Sequence, residues 1–257
     1  MTRFTPPSVI ERTAVALAAT LAFATAVQAQ PESAREQAYD AWELGAANLA
    51  WDLAKPHRDQ FSDLEYARFW HAAIAQRLRW SQAEMERLTG AERTRTLDGA
   101  LIEGWRLLDS LPATERYAGL RTAVINDMIY GLVMRGEMNT ALGLFEALGR
   151  PLDKIHPYVL VAAGTAYQYR DQLDRAIRCY EMALQLAAPT DIERGDVREN
   201  LFFAYLDRGR VEDAKAQLDL IEKESPVYVS SAPVPEMPNS DYERAMRLQA
   251  QYLLYTG

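Results

Sequence analysis

Cysteine occurs once in this chain of 257 residues, as Cys179, so no disulfide can form within it and packing must hold the fold. Histidine occurs three times, as His57, His71 and His156. They have no ligand spacing with one another or with Cys179, so no metal-site pattern and no Ser-His-Asp pattern emerges. No segment alternates apolar and polar residues over a useful length, so strands are not expected. Carboxylate pairs are frequent, but an acidic helical chain places them on solvated faces by chance. Nothing in the residues argues for catalysis, a metal or a cofactor. Apolar runs are scarce as well. The one at 13–27, "TAVALAATLAFATAV", lies beyond Arg3 and Arg12 and ends in Val27-Gln28-Ala29. It falls short of the roughly 20 residues of a spanning helix, and its small-residue exit marks a secretory signal cleaved after Ala29. With no cysteine at that point to carry a lipid, release into an extracytoplasmic space is expected.

Acid is what the chain has in excess. It carries 28 basic and 36 acidic side chains, a net charge of −8. Loss of 1–29 removes Arg3, Glu11 and Arg12 and leaves 26 against 35, or −9. Such a chain is a poor general binder of nucleic acid, and its field favours cationic partners.

The pattern along the chain is helical throughout. "SAREQAYDAWELGAANLAWDLAK" sets Ala38, Trp42, Ala46, Leu49 and Leu53 at steps of three and four, which predicts one amphipathic helix. It begins in a capping box of Ser33 and Glu36 and stops at Pro56. A second helix is expected from Ser62 to near Thr89-Gly90. A third aligns Leu97, Leu101, Trp105 and Leu108 and closes at Pro112. These make up a helical N-terminal part over 30–121.

From 122 to 257 a period emerges. Aligning Ala141, Ala176 and Ala214 superposes Gly136, Asp171 and Gly209 five places earlier, and Met138, Leu173 and Val211 three places earlier. Phe145, Tyr180 and Leu218 coincide four places later. The pattern resembles the tetratricopeptide repeat, a helix-turn-helix unit of about 34 residues. Gly164, Ala176 and Ala183 fall where that family wants small side chains, and Tyr167, Leu173 and Tyr180 where it wants bulk. Ile129 and Phe202 stand in the place of Gly164, which should widen their helix pairs. The expected fold class is all-α, a tetratricopeptide-repeat right-handed α-solenoid. A final helix from Asn239 or Ser240 lacks the second helix of its unit, so the chain looks cut. Met246, Leu253 and Leu254 are expected on an uncovered apolar face. Before it, Pro226, Pro233, Pro235 and Pro238 mark 225–239 as an extended excursion.

A closer resemblance is carried by the order of "ERTRTLDGALIEGWRLL", "YGLVMRGEMNTALGLFEAL", "AAGTAYQYRDQLDRAI", "SPVYVSSAPVPEMPNSDYERA" and "YLLYTG". Over about 63–257 this is similar to the periplasmic repeat domain of PgaA-type outer-membrane proteins, exporters of poly-β-1,6-N-acetylglucosamine. The resemblance implies a periplasmic scaffold that receives the partly deacetylated, cationic polysaccharide before an outer-membrane barrel and contacts the deacetylase that makes it. No barrel follows residue 257, which puts export by this chain alone in doubt.

The first helix of each repeat in such an array lines its concave face. The period puts Asn126, Tyr130, Tyr158, Gln168, Tyr169, Asp196, Glu199, Phe203 and Asp207 there. Rings offer flat faces to sugar C–H groups, and carboxylates pair with the ammonium of a glucosamine. The competing reading is packed rings and solvated acids, with the groove serving as a protein-protein adaptor for an envelope complex.

Overall fold

The computed structural model describes residues 33–79, 87–188, 194–224 and 240–256; the expected signal segment and the proline-rich stretch lie outside them. Eleven α-helices occur among the described residues, with no strand, so the fold is all-α. They are α1 (Ala34–Glu43), α2 (Ala47–Ala54), α3 (Asp63–Leu78), α4 (Gly90–Ser110), α5 (Glu115–Arg135) and α6 (Met138–Ala147). After these come α7 (Pro157–Tyr169), α8 (Leu173–Leu186), α9 (Arg194–Asp207), α10 (Val211–Glu224) and α11 (Ser240–Thr256). The chain divides into two compact units, Met1–Val124 and Ile125–Gly257.

In the first unit α1 packs on α2, α2 on α3 and α3 on α4. Ala38, Ala41, Ala50, Ala54 and Ala73 are small enough to let backbones approach, and Trp51, Phe61 and Phe69 fill the space that remains. Phe69 sits at the centre, edge-on to Tyr39, Trp42 and Phe61 with ring centroids 5.1, 4.6 and 5.4 Å away. Capping boxes start α1 at Ser33 and Glu36, α3 at Ser62 and Glu65, and α4 at Thr89 and Glu92. Glu65 also accepts hydrogen bonds from Arg35 Nη2 and Tyr39 Oη of α1, both at 2.7 Å. Hydrogen bonds from Ser62, Tyr39 and Arg35 hold its carboxyl well below the usual carboxylate range.

Three sequence expectations are corrected here. The first amphipathic helix is two helices: the chain breaks at Gly45, whose φ of 75° lies in the left-handed region. The buried face is then Ala38, Ala41, Ala50, Trp51 and Ala54, while Trp42 and Leu49 are exposed. The second helix stops at Leu78, and Thr89 opens the next helix instead of closing this one. Trp105, aligned with the core face of α4, is 38% exposed, and the buried positions include Ala100, Gly104 and Leu107.

In the second unit α7 pairs with α8 and α9 with α10, while α6 packs on α7, α8 on α9 and α10 on α11. The three turns are alike. Gly136, Asp171 and Gly209 have φ of 87°, 56° and 74°. Their amides donate to Val133, Gln168 and Leu206, and the following amides donate to Leu132, Tyr167 and Tyr205. This is the double bond of a left-handed helix C-cap, and Gly45 and Ala46 repeat it with Trp42 and Ala41 in the first unit. Met138, Leu173 and Val211, superposed by the period, are the first residues of α6, α8 and α10. Ala141, Ala176 and Ala214 are each fully buried.

Asp171 is the one non-glycine among the four. Asp171→Gly is expected to stabilise by about 0.5–1 kcal/mol by relieving the Cβ penalty, whereas Gly209→Ala should cost about 1–2 kcal/mol. Urea midpoints of the two variants check the opposite signs.

The α7–α8 pair shows why the sequence placed small against large. A Cβ on Gly164 would stand 2.6 Å from Tyr180 Cε1, so only glycine admits the fully buried ring. Tyr180 Oη then reaches Gln168 Oε1 at 3.1 Å and Thr165 Oγ1 at 3.2 Å. One position along, Cys179 is 2% exposed, and burial pushes its thiol up to about 12. On α11, Leu248 is buried and Met246, Leu253 and Leu254 are exposed, as the period led one to expect. Among the described residues no helix is long and apolar enough to cross a membrane.

Candidate functional site

All nine residues named for the groove lie on first helices of the second unit, with Asn126 and Tyr130 on α5, Tyr158, Gln168 and Tyr169 on α7, and Asp196, Glu199, Phe203 and Asp207 on α9. These helices neighbour one another, α7 packing on α9 and α9 on α11. Tyr130 and Tyr158 join α5 to α7 as an edge-to-face pair with centroids 6.2 Å apart. Tyr158 Oη donates to the buried Asp127 Oδ1 at 2.8 Å, which fixes the ring, and His156 stands 4.7 Å from the same ring. Asn126 is half-buried.

The remaining groups divide by environment. Tyr169 is 73% exposed, and Asp196 and Asp207 are exposed. Gln168 is half-buried, its carbonyl oxygen taken by Tyr180. Phe203 is half-buried with its ring against Phe202. Glu199, mostly covered, accepts a 2.6 Å hydrogen bond from Arg247 Nη2 of α11. The sequence held no signal for that pair, since the partners are 48 residues apart with the proline-rich stretch between them.

Asp207 also lines an open cavity of about 650 Å³ beside the α7–α8 turn, with Asp171 and Asp174 and three guanidinium groups, Arg175, Arg178 and Arg208. Arg208 grips Asp174 through Nε and Nη2 at 2.9 and 3.1 Å, and this hydrogen bonding keeps the Asp174 carboxyl below its ordinary range. The balance of signs makes this cavity electrostatically mixed.

A second contact recurs at the repeat spacing. Tyr167 Oη donates to Glu146 Oε1 at 3.2 Å, and Tyr205 Oη donates to Glu181 Oε1 at 2.6 Å, each joining a second helix to the first helix of the following pair. Burial is the main cause raising both phenol pKa values, with the carboxylate adding to it. Glu146 also pairs with Arg175 at 2.9 Å. Tyr205→Phe is therefore expected to cost about 1 kcal/mol and Tyr167→Phe about half of that, because Glu146 keeps a donor when its tyrosine is lost. Thermal midpoints of the two variants at one pH check the ranking.

The sequence reading missed a further cavity, of about 660 Å³ in the first unit, between α1, α3 and the start of α5. Among the described residues no group of three His, Cys, Asp or Glu side chains is placed to hold a metal ion. No family model matches this chain, and no curated protein matches it in sequence.

Proposed function

We propose that this chain is a tetratricopeptide-type helical array acting in the periplasm, without catalysing a reaction, as a scaffold that binds partly deacetylated poly-β-1,6-N-acetylglucosamine during its export for biofilm. The deacetylase would dock on the same array, and an outer-membrane barrel would be the next station of the polymer. The observation that carries the reading is the succession of rings and acids on neighbouring first helices: the Tyr130–Tyr158 pair, the exposed Tyr169, and the exposed Asp196 and Asp207. The recurrent left-handed turn and the Tyr–Glu contact at the repeat spacing support the array. Glu199 enters this reading less strongly, because Arg247 already compensates its charge.

Exposed carboxylate-ammonium pairs contribute roughly 0–1 kcal/mol each, so binding must be shared among several and weaken with salt. Calorimetric titration with glucosamine oligomers is expected to give heat that fades as salt rises, and fully acetylated oligomers should bind less tightly. Asp196→Asn with Asp207→Asn is expected to lower affinity by up to about tenfold. Equal binding of both oligomers, untouched by the double substitution, would refute the glycan reading. A protein-protein adaptor is the second reading, favoured by the exposed Leu253 and Leu254 of α11. Partner capture that no glycan competes with would support it.

A further inference from the structure

The cavity of the first unit is of another kind from the acidic helices of the second. Its floor and wall are apolar, made by Leu64, Ala75 and Leu120 with the half-exposed ring of Trp42. Its charged lining is cationic: Arg68 on α3, Arg79 just past the end of α3 and Arg116 on α5; the His71 ring also lines it. Among the described residues no acidic side chain lines it, in a chain whose net charge is −8. Arg68 and Arg116 make no ion pair among the described residues, and Arg116 lies 5.8 Å over the Tyr117 ring.

The arrangement follows from helix geometry. Leu64, Arg68, His71 and Ala75 recur at steps of three and four, which puts them on one stripe of α3, and Arg79 follows as its C-cap. At about 1.5 Å per residue, Arg68 and Arg79 stand roughly 16 Å apart along the axis. That is the reach of about five residues of extended peptide.

We propose that this cavity binds an acidic peptide segment of a partner protein, one that seats an apolar side chain against Trp42 and Leu120 and sets carboxylates on either side against Arg68, Arg79 and Arg116. Charge complementarity selects the sign, since anions meet the guanidinium groups of Arg68 and Arg116 and, among the described residues, no lining acid. The apolar floor gives a seat to an apolar side chain, which a peptide supplies and trigalacturonate lacks. A long polyanion such as nucleic acid would meet the repulsion of the whole acidic chain. The proposal is independent of the polysaccharide reading, which rests on other residues.

The test titrates the full chain into a labelled peptide with glutamates and aspartates around one phenylalanine, read by fluorescence anisotropy. Three further probes run beside it: the same peptide with lysines for the acids, the same peptide with serine for the phenylalanine, and trigalacturonate. The acidic peptide is expected to bind, to lose affinity by about tenfold on Arg68→Glu with Arg116→Glu, and to lose it again when its phenylalanine becomes serine. Both arginines are exposed, so circular dichroism should show an unchanged helix content. Trp42→Ala gives an independent loss if the ring is a wall of the site. Equal binding of the lysine peptide, indifference to the arginine substitutions, or tighter binding of trigalacturonate than of the acidic peptide would overturn the proposal. So would a dimer of this chain that Arg68→Glu dissolves, because the cavity would then receive a second copy.

Discussion

Gly164→Val is expected to destabilise the protein by about 3 kcal/mol, through overpacking at a site with no slack. Any Cβ at this position must displace the Tyr180 ring, 2.6 Å away. That ring is fully buried and tied at its hydroxyl to Gln168 and Thr165, so it cannot swing aside without giving up a hydrogen bond. Alanine at the same position should also destabilise, although glycine to alanine within a helix ordinarily gains about 0.5–1 kcal/mol. Gly143 of α6 supplies the control: it is helical and exposed, with open space where its Cβ would stand. Gly143→Ala is accordingly expected to stabilise by that ordinary gain. Urea unfolding of the three variants, with Gly164→Ala combined with Tyr180→Leu as the rescue, checks the mechanism. If Gly164→Ala raised the midpoint as Gly143→Ala does, close approach of α7 and α8 would not be what glycine provides.

Phe69→Ala is expected to cost about 3–5 kcal/mol, the range for deleting a buried aromatic ring. The ring is 1% exposed and meets Tyr39, Trp42 and Phe61, which come from α1 and from the segment after α2. Its loss opens a cavity where three parts of the first unit converge, and the near-ultraviolet circular dichroism of the neighbouring rings should fall with the thermal midpoint. Phe69→Leu fills most of that volume and should recover more than half of the loss. A small effect of the alanine variant would mean that α1 closes down on α3 without strain.

Much of this architecture is legible in the order of residues, for a physical reason. A left-handed turn followed five residues later by a buried alanine is a local constraint, so Gly136, Asp171 and Gly209 can be found by alignment before any coordinates exist. The same constraint holds at Gly45 and Ala50, yet there the apolar spacing from Ala38 to Leu53 runs through the break and imitates one helix. Periodicity reports which residues share a face only while the helix continues, and Gly45 was the sign that it does not. Thr89 misleads for a related reason: Gly90 after it looks like a helix end, but Glu92 three places on makes Thr89 a beginning. The candidate site is less legible. Helix membership of its nine residues follows from the period, whereas the cover that Arg247 places on Glu199 and the bond that draws Gln168 to Tyr180 depend on side chains brought from other helices.

Cys179 acquires a use from its burial between the paired helices. As the sole thiol, with protonation favoured and 2% of its surface open, it should resist alkylating reagents for as long as α8 stays seated. The rate at which such a reagent captures it then times the breathing of that helix pair, a stopwatch already wired into the chain and needing no added label.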